Sequence, residues 1–191
     1  MTNTSSLHKK ALLYEYLTIA WNILEGIVCV SIGILSGSIS LIAYGLESGV
    51  EVFASSVVVW DLNGTGNGRS MVALKLIGFA YFVVSAYIFY DASKSLLSGE
   101  HAEKSIAGIT FIILTVIVMV TLGFIKKDIG TKMKSQTVLA DAKFTLIDAA
   151  LASTVLIGLA LNALFGWWWA DQSMALFLSG VAFREGIKEF T

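Results

Sequence analysis

The chain has 191 residues, of which 56% are hydrophobic and only 14% charged, with no proline and a formal net charge of −1. Soluble domains carry about a quarter of charged residues, so this composition excludes an ordinary soluble protein and points to a polytopic membrane protein. The weak negative charge and the lack of a basic stripe exclude nucleic acid as a partner, and the single cysteine, Cys29, excludes an intrachain disulfide.

Residues 1–10 are short and polar and run straight into an apolar segment with no small-residue cleavage motif. The first helix is therefore expected to be retained rather than removed as a signal peptide. Crossing the hydrocarbon core takes roughly 20 apolar residues. Six segments come close to that length: 14–36, 38–60, 71–90, 105–125, 136–164 and 171–187. They predict an all-α polytopic fold of six transmembrane helices, one transmembrane domain over 1–191 with no soluble C-terminal domain. Residues 63–70 (NGTGNGRS) read as a glycine-rich turn and 126–134 as a basic loop. Lysine and arginine counts orient the bundle. With both termini cytoplasmic, the inner side holds Lys9, Lys10, Arg69, Lys126, Lys127, Lys132, Lys134, Arg184 and Lys188, and the outer loops hold Lys94 and Lys104. Trp167, Trp168 and Trp169 then fall at the outer interface, where aromatic belts belong.

Against this apolar background stand five acids inside the spans: Glu25, Glu47, Glu51, Asp141 and Asp148. A carboxylate at the bilayer centre costs a few kcal/mol even on insertion scales, so such residues face an interior or a water-filled path. Glu47 and Glu51, spaced i,i+4, share a helix face. Glu25, Glu47, Glu51 and Asp148 fall near mid-span, and Asp141 sits about two turns nearer the cytoplasm on the Asp148 face. No matching set of cations is visible within the spans. A divalent ion, or protons in the empty state, would neutralise the acids, and the pattern predicts a carrier for a small cation. Glu47, Glu51 and Asp148 are read as ligands. Glu25 is either a further ligand or proton relay or else a structural partner of Asn22 or of polar groups on another helix, and Asp141 either draws ions from the cytoplasm or pairs with Lys143 or the basic loop.

Weaker signals surround these. The segments 43–58 and 140–155 align at an offset of 97 residues, matching Glu51 with Asp148, as in repeats that meet at a midplane site. Cys29 reads as a small core residue rather than a soft ligand. His101 with Glu100 and Glu103 reads as a solvated loop cluster rather than a metal-capture site. Gly26, Gly33, Gly37, Gly45 and Gly49 are expected to let helices approach closely, and Asp171 to cap the sixth helix.

Three segments, 37–54 (GSISLIAYGLESGVEVFA), 139–148 (LADAKFTLID) and 166–171 (GWWWAD), resemble the transmembrane domain of the cation diffusion facilitator family, and the likeness extends over most of the chain. The compact branch with the membrane domain alone is most similar, through WNILEG in the first span and NALFGWWWAD near the end. The resemblance implies six helices with cytoplasmic termini, a homodimer and proton-coupled efflux of divalent metal. It also implies ligand pairs on the second and fifth helices, here Glu47/Glu51 and Phe144/Asp148. Phe144 stands where zinc-transporting members carry histidine, and the second-helix ligands are glutamates. An oxygen-only set favours Mn²⁺, Mg²⁺ or Fe²⁺ over Zn²⁺, whereas the resemblance leans to the Zn, Mn, Fe or Co class. The cargo is this metal and no prosthetic group is expected. The chain is read as a non-enzymatic integral protein of a prokaryotic cytoplasmic membrane, its partners being the lipid bilayer, divalent metal cation, protons and a second copy meeting it through membrane helices. A non-transporting metal sensor or partner subunit is the alternative. An intramembrane enzyme is disfavoured because His8 and His101 lie outside the spans, and an organic-solute carrier would need more aromatic or cationic groups at mid-depth.

Overall fold

With no proline to break them and no water in the hydrocarbon core to bond a free backbone, continuous apolar segments of about 20 residues satisfy their own backbone as helices. The computed structural model describes residues 2–36, 39–64, 69–99, 106–167 and 169–190. These form six helices: α1 (Thr2–Ser36), α2 (Ile39–Leu62), α3 (Arg69–Ser98), α4 (Ile106–Met133), α5 (Gln136–Phe165) and α6 (Ala170–Lys188). The all-α, six-helix reading stands. Glu100, His101, Glu103, Gly37 and Trp168 lie outside the described residues, as do the packing of Gly33 and the side chain of Asp171.

Helix ends differ from the sequence expectation. α1 begins well before residue 14, and α4 runs through most of the expected loop 126–134. Apolarity marks where a helix leaves the membrane, whereas the helix itself continues through Lys, Thr and Asp while its backbone bonds persist. The α4–α5 connection shrinks to two residues. Lys134 takes a left-handed φ of 55°, and the Ser135 N–H donates to the Gly130 carbonyl at 3.0 Å, the bond that closes a Schellman turn. Ser135 Oγ then accepts from the Val138 N–H at 3.3 Å and starts α5. In the α2–α3 turn, the Arg69 guanidinium lies 4.0 Å from the Trp60 ring centroid and donates to the Trp60 carbonyl. Trp169 occupies the cap position of α6 without a side-chain bond, so Asp171 lies within the first turn rather than capping it.

α1 packs on α2 and α4, α4 on α5, and α3 on α6, with α2 and α5 also meeting α3 and each other. A Cβ on Gly45 would come within 3.0 Å of the Gly26 carbonyl oxygen and of Cys29 Cβ, so α1 and α2 touch backbone to backbone. Gly49 has nothing within 4 Å and plays no such role. The main apolar core joins α2, α3, α5 and α6 through Val58, Ile77, Tyr81, Val84, Phe144 and Ala182.

Polarity is inverted relative to a water-soluble fold. Ile27, Leu35, Phe79, Phe89, Phe124 and Phe177 are exposed, while Glu15, Glu25, Glu51, Lys126 and Asp141 are buried. Water would penalise that outer surface; lipid does not. The stretches Ser5–Ile32, Arg69–Ser98 and Ile109–Met133 are each long and apolar enough to cross a membrane. α2 and α5 carry Glu47, Glu51, Asp141 and Asp148 within otherwise apolar sequence.

Candidate functional site

The acids come together because four helices carry polar residues on one stripe each. On α1 the buried residues Glu15, Thr18, Asn22, Glu25 and Cys29 are spaced alternately by three and four, which keeps them on one face. α4 does the same with Thr115, Met119, Leu122 and Lys126. α2 contributes Glu47, Ser48, Glu51 and Ser55, and α5 contributes Asp141, Thr145 and Asp148. Several uncharged groups bond their own helix. Thr18 Oγ1 donates to the Tyr14 carbonyl at 2.9 Å, and Asn22 Nδ2 to the Thr18 carbonyl at 3.0 Å. Asn22 is thereby committed to α1 rather than to Glu25.

The stripes make two layers. In the middle of the bundle, Glu47, Glu51 and Asp148 line one cavity of about 10 Å³, with Tyr81 and Phe144 as its aromatic wall. That volume suits about one water-sized guest. Glu25 faces the same region from α1, and Asp148 lies in the electrostatic field of Glu51, Glu25 and Glu47. Both carboxylate oxygens of Glu25, both of Glu51 and one of Asp148 are buried without a hydrogen bond. The Tyr44 and Thr115 hydroxyls approach Glu25, and Thr145 approaches Glu51, but none closes a bond of normal geometry. Among the described residues, no three histidine, cysteine or acidic side chains converge into a ready-made metal site. The acids are neighbours in this conformation but are not drawn into a closed shell. Phe144 packs against Tyr81 with ring centroids 4.7 Å apart, while the Tyr81 hydroxyl donates to the Ala140 carbonyl at 2.9 Å. Cys29 is a buried free thiol pressed into the α1–α2 contact.

The second layer lies towards the face that carries both chain termini. Asp141 is seven residues before Asp148, and Glu15 ten before Glu25, which puts this layer about 10–15 Å from the first. Here the Lys126 ammonium, 1% exposed, donates to Asp141 Oδ2 at 2.5 Å and lies 3.5 Å from Glu15 Oε2. The Ser55 hydroxyl adds a long bond of 3.4 Å to Asp141. This overturns the expected absence of a cation within the spans and the assignment of Lys126 to a basic loop. Asp141 pairs with Lys126, while Lys143 turns outward to Glu185 at 3.1 Å. Glu15 and Ser55 were missed from sequence, while Lys126 was read as part of the basic loop, one of the partners offered to Asp141, but not as a buried residue. Their signal was the three-four spacing running back from Glu25 to Glu15 and forward from Thr115 to Lys126, beyond the apolar runs.

The family model of the cation efflux transmembrane domain matches residues 16–191. A magnetosome protein, MamB, of Paramagnetospirillum magneticum is 25% identical, over 82% of this chain and 56% of its own length. An uncharacterized transporter of Methanocaldococcus jannaschii is 29% identical, over 87% of this chain and 64% of its own. Another, of Synechocystis sp., is 28% identical over 78% and 51%. The chain thus spans between 51% and 64% of the length of these relatives.

Proposed function

Because the chain belongs to the cation efflux family, we propose that it carries a divalent metal cation out across a prokaryotic cytoplasmic membrane in exchange for protons. The observation that carries this reading is the set of buried carboxylate oxygens on Glu25, Glu51 and Asp148 without hydrogen bonds, gathered at one level of the bundle. Unpaired charge at that depth is costly, and a cation removes the cost. Glu47, Glu51 and Asp148 are the ligands in this proposal, and Glu25 is the fourth. The acids draw in around the ion when it binds and take protons when it leaves. Asp141, held by Lys126, stands on the approach rather than in the ligand shell. The donors are oxygens only, so the cargo belongs to the Mn²⁺ and Fe²⁺ end of the divalent series, with Zn²⁺ and Co²⁺ less favoured. Both termini face the cytoplasm, the working unit is a homodimer joined through membrane helices, and 1–191 acts as one transmembrane domain. No enzymatic role is proposed.

The test is metal flux into proteoliposomes under an imposed pH gradient, with Mn²⁺, Fe²⁺, Co²⁺, Zn²⁺, Cd²⁺ and Mg²⁺ in turn. Saturable flux that is lost in Glu51→Gln and in Asp148→Asn is the expected result. Folded protein that binds metal but passes none would make this a sensor or partner subunit instead.

A further inference from the structure

Lys126 is the feature that the metal ligands leave unexplained. Its ammonium sits where α1, α2, α4 and α5 meet, between the Glu15 and Asp141 carboxylates, with the Ser55 hydroxyl completing the cluster through Asp141. A structural lysine needs one carboxylate for neutrality, and this one has two. The second, Glu15, is fully buried and neither of its oxygens closes a hydrogen bond. Two carboxylates facing one positive group, one of them held by the Ser55 hydroxyl, resemble the donors of a cation site, and the tethered ammonium occupies it.

We infer that Lys126 is a tethered plug, whose ammonium closes the route from the terminal face to the acid cavity and must leave Asp141 and Glu15 for a cation to pass. This rests on the carrier reading. Glu51 ties the layers together, since it lines the cavity and also lies in the field of Lys126 and Asp141. A divalent ion near Glu51 repels the ammonium, and the seated ammonium repels an arriving ion, so the two alternate. The side chain suits the task. Lysine is a compact charge on a flexible four-carbon stem, and Lys126 is seven residues from the end of α4 at Met133, about 10 Å along the helix axis. Lys127, the next residue, is already exposed. The departing ammonium therefore has a short path to water, and the stem can stay in apolar surroundings as it goes. While Lys126 is seated, α4 is tied on this side to α1 and α5 through Glu15 and Asp141, and through Ser55 to α2.

The test reads access rather than transport. In a Cys29→Ser background, Thr145→Cys places a thiol at a fully buried position one turn from Asp141. A cationic methanethiosulfonate reagent is applied to one face of sealed vesicles at a time. With Lys126 present, labelling from the terminal face is expected to be slow. In the neutral variant Glu15→Gln/Lys126→Met/Asp141→Asn it should speed up about tenfold from that face, equivalent to about 1.4 kcal/mol of lost closure, and stay unchanged from the other. No acceleration, or equal acceleration from both faces, would overturn the plug; the second result means loosened packing. If the neutral variant is not recovered folded, Glu15→Gln serves, since it keeps the Lys126–Asp141 bond. It should speed terminal-face labelling by about threefold, less than the neutral variant because the Lys126–Asp141 bond remains, equivalent to about 0.7 kcal/mol, and an unchanged rate sinks the idea. Labelling requires no flux, so a failed plug in a protein that transports is distinct from a failed carrier.

Discussion

At position 144 an aromatic ring packs on Tyr81 and lines the same cavity as Glu47, Glu51 and Asp148. It puts no imidazole into that cavity, and in the proposed site this leaves the donor set all-oxygen. Replacing it should change selectivity more than rate. Phe144→His is expected to raise the ratio of Zn²⁺ to Mn²⁺ flux by about tenfold, the equivalent of about 1.4 kcal/mol of preferential binding. Competition between the two ions in proteoliposomes reads this ratio directly, and an unchanged ratio in folded protein would show that residue 144 does not face the ion. Glu25, Glu47, Glu51 and Asp148 were legible in the sequence because charge within an apolar run is anomalous. Glu15 and Lys126 were not, because they sit at the ends of apolar runs, where charge is ordinary. Only the buried Lys126–Asp141 contact reveals their role.

Two glycines one turn apart on α2 separate packing from propensity. Gly45 meets the Gly26 carbonyl and Cys29 across the α1–α2 contact, whereas Gly49 faces open space. Adding a methyl at Gly45 presses on the Val30 side chain and on the Gly26 carbonyl and Cys29 Cβ, which are fixed by the α1 backbone, and such overpacking costs typically about 1–3 kcal/mol. Gly45→Ala should therefore lower the unfolding midpoint in detergent, while Gly49→Ala should leave it unchanged or raise it, since alanine favours the helix by about 1 kcal/mol. Equal effects would mean that α1 and α2 do not approach at Gly45. The sequence marked both glycines alike, because composition shows that a helix can be approached but not which side is. Element ends were misread for a related reason. The run that ends at Ile125 marks the limit of apolarity, yet α4 continues to Met133, and only the left-handed Lys134 stops it.

At the scale of the molecule, the inverted distribution of polarity fits a lipid environment, and the placement of basic residues is the basis of the orientation proposed above. Lys126 leaves the inner-side count because it is buried. Lys9, Lys10, Arg69, Lys127, Lys132, Lys134, Arg184 and Lys188 remain against Lys94 and Lys104, so the asymmetry survives the correction. Reporter fusions at either end of the chain are expected to be active only on the cytoplasmic side, and a split result would refute the six-span topology. In the proposed orientation the Lys126 layer would stand between the cytoplasm and the acid cavity.

What the sequence determined by itself was the class of solvent, the all-α fold, the number of helices and the presence of buried acids. Each of these is a local property: length, apolarity and an ion where none belongs can all be read along one strand of text. The tertiary structure alone decided which acids share a cavity, that Asp141 is matched by Lys126, and that Gly45 rather than Gly49 carries a helix contact. Those facts depend on how α1, α2, α4 and α5 are rotated about their own axes. That rotation is set by the packing of each helix against its neighbours, which no single segment encodes.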